Sequence, residues 1–376
     1  MVWRYFGIGL WMIATAATAR AQDAARVPYP IPEVPGQPLP GSPSDSTVIR
    51  THPGGEIAPS RRVESRTRAS GVETATSIIE RPDGQGRLRP SVETTTETVR
   101  RPNGERTRIA VFAFDQSGRR MLVESIESEQ EVRADGSIDT VRNTSSLDPT
   151  GRATLTSREI ERTRSVSPGV KETETSILRP GPNQALVEAE RVSETEREVA
   201  PGLVRREMTR SVRDGNGRFQ AAEARSEDIR TTGSTESREA IVQRLDATGK
   251  MSVDERTVSQ RSTVNGREQT TEETFSRQGA AREGTLQLNR RVTRTTTSAA
   301  DGSSRTDEDV EARTSFAPGE PLRPVQRSVR TIRNVDGRSE TQQQVLEPDV
   351  NRQMKPRVEE TGTATAPSSN ARFRPQ

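Results

Sequence analysis

The sequence predicts an all-β chain: an elongated antiparallel β-meander of about nine two-strand repeats, each of about 33 residues, in a largely single-layer or curled sheet. Three observations carry that prediction. Turn-forming glycines recur in two interleaved series, the sequence around them suits hairpin turns, and the arms between are rich in Thr, Val, Arg, Glu and Ser.

The elements follow from the N-terminus. Arg4 supplies positive charge, Tyr5 to Ala17 is almost wholly apolar, and Ala19-Arg20-Ala21 has the small-x-small form of a cleavage site, so 1–21 reads as a signal peptide. The apolar run is shorter than the ~18–20 residues that span a bilayer, and no later segment reaches that length. Residues 22–45 read as a proline-rich disordered linker, because Pro28, Pro30, Pro32, Pro35, Pro38, Pro40 and Pro43 fix φ and remove backbone donors. The β-strand repeat region is placed at 46–356, and 357–376 reads as a disordered tail.

Within the repeat region the first glycine series runs Gly55, Gly86, Gly118, Gly151, then Gln184 in a glycine slot, then Gly217, Gly249, Gly284 and Gly319. The second runs Gly71, Gly104, Gly136, Gly169, Gly202, Gly233, Gly266, Gly302 and Gly337. Around the first series Asp83, Asp115, Asp148, Asp214 and Asp246 open a D-x-x-G-[RK] motif in which the carboxylate can accept from the backbone two residues on and glycine supplies positive φ. Around the second, Asn103-Gly104, Asp135-Gly136, Asn265-Gly266, Asp301-Gly302 and Asp336-Gly337 are two-residue hairpin signals. The arms between turns suit strands of about 10–14 residues, and Thr94-Thr95-Thr96 and Thr295-Thr296-Thr297 sit at arm centres. Alternation is incomplete: Leu122, Ile126 and Val132 share one parity and Ile109 and Val111 another, while many arms have no apolar face.

The D-x-x-G-[RK] turn resembles the one that opens a strand in YD-repeat (RHS-type) shell proteins. The resemblance covers five short turns, and those repeats are shorter and tyrosine-rich, whereas Tyr29 is the one tyrosine after residue 21. It implies a turn shape and neither a shell nor a cargo. Two other architectures compete with the meander. Leu322, Val325, Val329, Ile332 and Val335 recur at helical spacing, which suits helical-hairpin repeats, and the polar composition suits a mostly disordered chain.

Composition narrows the function. Hydrophobic residues are 29% of the chain, charged residues 30% and aromatics 3%, so any core is thin. The formal net charge of +3 is spread among interspersed acids and bases, which leaves no basic field of the size nucleic acid needs. There is no cysteine, and His52 is the single histidine, beside Pro53-Gly54-Gly55 as a turn residue would be. No catalytic, cofactor or metal residues stand out, and no cofactor is expected: G-x-S-x-G, Walker A, Rossmann and calcium-loop patterns are missing, and carboxylates recur in almost every arm as cross-strand partners would. A membrane β-barrel is weighed and set aside, since the arms carry charge on both parities and no aromatic girdle is visible.

These observations predict an exported, non-enzymatic structural or interaction protein, periplasmic, cell-envelope or extracellular, presenting an extended polar surface to a protein or cell-envelope polymer. The alternatives are a flexible envelope spacer and a polyanion-binding module using the arginine rows. The most apolar arm, Glu105 to Phe114, makes Ile109, Val111, Phe112 and Phe114 a possible interaction patch.

Overall fold

A computed structural model describes residues 44–51, 57–69, 71–147, 151–245, 249–277, 286–313, 320–335, 338–349 and 351–365. The predicted signal peptide, the predicted linker as far as Pro43, Gly337 and the predicted tail beyond Thr365 lie outside these residues. The described chain contains twenty strands and no helix. They are β1 (Ser44–Thr51), β2 (Ile57–Ala69), β3 (Val72–Pro82), β4 (Leu88–Arg101), β5 (Gly104–Phe114), β6 (Arg120–Val132), β7 (Ile138–Leu147), β8 (Ala153–Ser167), β9 (Val170–Pro180) and β10 (Leu186–Ala200). The second half comprises β11 (Leu203–Arg213), β12 (Phe219–Thr232), β13 (Thr235–Leu245), β14 (Met251–Val264), β15 (Arg267–Ser276), β16 (Gln287–Ser298), β17 (Ser304–Ala312), β18 (Arg323–Val335), β19 (Arg338–Pro348) and β20 (Met354–Thr365).

Each strand pairs antiparallel with the next, so the chain is an all-β meander. β1 pairs with β2 on one side and with β20 on the other, which makes the order of neighbours circular. The sequence predicts a largely single-layer or curled sheet without deciding whether it closes, and the strands at its ends differ from the predicted boundaries. The difference arises at the termini: β1 begins at Ser44, inside the segment assigned to the linker, and β20 runs through Thr365, past the boundary at 356. Paired side by side, these two strands leave the order of neighbours without the two end edges of an open sheet.

Curvature has a visible source. From β4 onward every even-numbered strand carries one extra residue in its ladder with the preceding strand: Ser91, Val123, Thr156, Ala189, Ala222, Asp254, Asn289, Val325 and Arg357. A β-bulge bends its strand and increases local twist, and a wide sheet needs such bends to close. Bulges also tolerate proline, which lacks the ladder donor, and Pro90, Pro324 and Pro356 each flank one. The helical spacing around β18 has the same origin: Val325 is a bulge residue, and Val329 and Ile332, three apart, stand on opposite faces.

The two ends of the strands use different turns. Odd-to-even connections include three-residue loops in which the backbone N–H of Gly86, Gly118, Gln184, Gly217 and Arg352 donates to the carbonyl three residues before, at 2.9–3.0 Å. All five have positive φ, so Gln184 and Arg352 take a glycine conformation. In Asp83, Asp115, Asp214 and Asp349 the Oδ1 atom accepts from the N–H groups two and four residues on, at 2.8–3.0 Å. Even-to-odd connections are mostly two-residue loops, such as Pro168-Gly169, Pro201-Gly202 and Asn265-Gly266. Three of the predicted two-residue hairpins differ: Asp135-Gly136 and Asp301-Gly302 lie in three-residue loops, closed by Gly136 onto Arg133 and by Gly302 onto Ala299, and at Asn103-Gly104 the loop is Pro102-Asn103 with Gly104 already in β5.

The sheet buries little. Seven described residues are buried, and six of them stand in strands: Glu190, Glu227, Ala240, Val310, Ser339 and Val345. Following the registers from β10 to β19 places all six on one face. This is the inner face of the curved sheet, where side chains converge.

Candidate functional site: the ion-paired inner face

The inner face between β9 and β13 concentrates charge. Glu190 is 5% exposed and Glu227 4%, and a carboxylate so far from water must be paired. Pairing is multiple in both cases. Glu190 accepts from Arg179 at 2.8 Å and Arg210 at 2.7 Å. Glu227 accepts from Arg225 at 3.3 Å and from Arg238, and Arg206 lies 3.9 Å away. Arg206 also donates to Glu196 at 2.6 Å. The register sets this up, because Arg206 stands directly opposite both Glu196 and Glu227, and Arg210 opposite Glu223. A lattice of ion pairs therefore crosses five strands: Arg179, Arg206, Arg210 and Arg238 reach acids of neighbouring strands, and Arg225 reaches Glu227 of its own strand.

Beside the lattice lies Glu161 of β8, whose carboxyl is held above the usual carboxylate range by burial, with the nearby Glu159 charge adding to the shift. Arg142 reaches Glu159 at 3.3 Å and partly offsets it. Among the described residues no group of three or more His, Cys, Asp or Glu side chains is placed to hold a metal ion.

The outer face is charged as well. Arg205 grips Asp228 through two bonds of 2.7 and 2.8 Å, which keeps the Asp228 carboxyl below its usual range. Arg164 pairs with Glu172 at 3.0 Å, and Arg256 with Glu239 at 2.7 Å. Between β18, β19 and β20 this face forms a polar groove of about 460 Å³ lined by Thr331, Arg333, Glu340, Gln342, Thr361 and Thr363.

The sequence-predicted patch is not brought together. Ile109 and Val111 stand on the inner face, Ile109 opposite Ile126, whereas Phe112 and Phe114 stand on the outer face. Adjacent residues of a strand point to opposite sides, so four residues within a six-residue stretch cannot make one surface. Phe112 is covered by the Arg120 guanidinium, 3.4 Å from the ring centre, and Arg120 is anchored to Glu93 at 2.6 Å. Of the predicted turn glycines, Gly86, Gly118, Gly136, Gly151, Gly169, Gly202, Gly217, Gly233, Gly249, Gly266 and Gly302 have positive φ, and Gly337 lies outside the described residues. Gly104 opens β5 with a different constraint: a Cβ there would lie 2.0 Å from the Gln130 carbonyl oxygen. Sequence reading missed the Glu190 and Glu227 lattice, although the recurring acids and arginines of 188–244 carried the signal.

No protein-family model matches this chain. No curated protein matches either. Among solved structures, the chain is similar to OccK3 (OpdO) of Pseudomonas aeruginosa, with TM-score 0.43 and 9% identity over 86% of this chain and 94% of that one. It is also similar to the siderophore receptor PirA of the same organism, with TM-score 0.41 and 9% identity over 86% of this chain and 79% of that one. At these values nothing about binding or transport passes from those proteins to this chain.

Proposed function

We propose that the chain is an exported, non-enzymatic structural or interaction protein of the cell envelope or extracellular space. It is built as a repeating series of hairpins, and it presents an ion-paired polar sheet to a protein or envelope polymer. One observation carries the reading: both faces of the sheet bear ion pairs along the length of the strands, as in Arg206 with Glu196 inside and Arg205 with Asp228 outside. Arginine at the midplane of a lipid-facing barrel destabilises by about 2–4 kcal/mol, so a sheet with this outer face belongs in water or against a hydrated polymer. The apolar N-terminal run and the small-x-small site at Ala19-Arg20-Ala21 support export.

A second reading is a barrel spanning an outer membrane, favoured by the circular order of an even number of antiparallel strands. Production of the full chain in an exporting bacterial host, followed by fractionation, separates the two. The polar-sheet reading expects protein starting at Gln22 by mass spectrometry and released from the envelope by osmotic shock or salt. Folded protein that resists salt and alkaline extraction and leaves the membrane with detergent alone overturns it.

A further inference from the structure

We propose that the outer groove across β18, β19 and β20 is a binding site for a neutral, polyhydroxylated chain, an oligosaccharide segment of an envelope polymer. It rests on the polar-sheet reading above and names the chemistry of the polymer. The groove holds about 460 Å³, and its outward side chains are Thr331, Arg333, Glu340, Gln342, Thr361 and Thr363. The register sets them in two rows across the strands: Thr331, Gln342 and Thr361, then Arg333, Glu340 and Thr363. A strand spacing of ~4.8 Å makes each row about 10 Å long, the reach of a short run of sugar rings laid across the sheet.

Elsewhere on this face opposed charges consume each other. Arg205 stands opposite Asp228 and holds it at 2.7 Å, and Arg164 stands opposite Glu172 at 3.0 Å. Arg333 and Glu340 are opposed in the same way, but among the described residues neither is in an ion pair, and both are exposed. The groove therefore presents a guanidinium fork, a carboxylate, an amide and threonine hydroxyls, with one positive and one negative charge cancelling. That set discriminates among ligands. A hydroxyl both donates and accepts, so neighbouring hydroxyls of a sugar satisfy the guanidinium and the carboxylate together. An anion meets the Glu340 carboxylate, a cation meets the Arg333 guanidinium, and an apolar ligand strips water from these groups without replacing its bonds.

The test titrates the full chain with cellotetraose, maltotetraose and chitotetraose while the threonine methyl NMR signals are followed. At least one of these sugars is expected to shift Thr331, Thr361 and Thr363 with a Kd at or below about 1 mM. The inner-face pair Thr163 and Thr173 should stay unmoved, and binding should be the same at low and high salt. Arg333→Ala and Glu340→Ala should each weaken binding about ten-fold, the loss of one charged hydrogen bond. Thr361→Val, which keeps the β-branched shape, should weaken it as well. The proposal is overturned if none of the sugars moves the groove signals, or if binding survives Arg333→Ala and Glu340→Ala undiminished. Binding of trigalacturonate alone, lost as salt rises, overturns it in favour of an anion site. Binding of tetraglycine alone overturns it in favour of a peptide groove. The polar-sheet reading is judged separately, by the fractionation above, so a failure of one is distinguishable from a failure of the other.

Discussion

Single residues in this protein act through turns and through buried charge. Gln184 and Arg352 hold φ of 60° and 62°, where a side chain clashes with its own backbone. Gln184→Gly is expected to stabilise the fold by about 0.5 kcal/mol net, the relief of a left-handed side chain exceeding the added flexibility of glycine, and a rise in the denaturant midpoint checks it. Gly202→Ala is expected to act the other way, destabilising by about 2 kcal/mol, because its φ is +74° and the Thr231 carbonyl oxygen would lie 2.6 Å from the new Cβ.

Two carboxylates report on pH with opposite signs. Asp115 is held below its usual range by the Ser117 hydroxyl and by the backbone N–H of Arg119. Its folded pKa is depressed, so its contribution is complete above the unfolded value near 3.8 and is lost as pH falls through the folded one. Carbon-13 titration of its carboxyl should show a midpoint below that of an unfolded aspartate. Glu161 is the reverse case. Its folded pKa is raised by burial, so the charged form weakens the fold at neutral pH and protonation strengthens it as pH falls towards the unfolded value near 4.5. Glu161→Gln should raise Tm at pH near 7 and lose that advantage in acid; an unchanged Tm at neutral pH counts against the burial assigned to this side chain.

Among elements, the bulge decides which residues face which way. Leu122 pairs with Phe112 on the outer face, while Glu124 and Ile126 join Val111 and Ile109 on the inner face, with Val123 the extra residue between. Parity counted along β6 from sequence groups Leu122 with Ile126 and misplaces it. This explains why turns were legible and faces were not. A three-residue loop announces itself through Asp and Gly at fixed offsets, as at Asp115 and Gly118, whereas Val123 and Ala222 look like any strand residue. The Glu190 and Glu227 lattice was hidden for the same reason, since it requires a register across five strands. Deleting Ala222 should destabilise well beyond Ala222→Ser, because the residues before the bulge would have to slip by one and exchange faces. Equal denaturation midpoints for the two variants would remove the structural role assigned to that bulge.

For the whole molecule, stability rests on ladders and ion pairs more than on an apolar core, since Ala240, Val310 and Val345 are the buried hydrophobic residues among those described. Interspersed charges with a net of +3 attract overall, and salt screens that attraction. Raising ionic strength from about 0.01 M to about 1 M, which shortens the screening length from ~30 to ~3 Å, should lower Tm. A salt-induced rise would mean that burial of apolar surface dominates after all.

The unlike turns at the two ends of the strands give the molecule a grain. Connections between odd and even strands share a side, and neighbouring hairpins repeat at about twice the ~4.8 Å strand spacing. Peptides spliced after Gly84, Gln116, Asn183 and Gly215 would thus emerge in one direction from a single margin, roughly 10 Å apart per hairpin, like teeth on a comb. Such a chain could carry a row of epitopes in a defined sequence, while the tighter margin opposite stays bare.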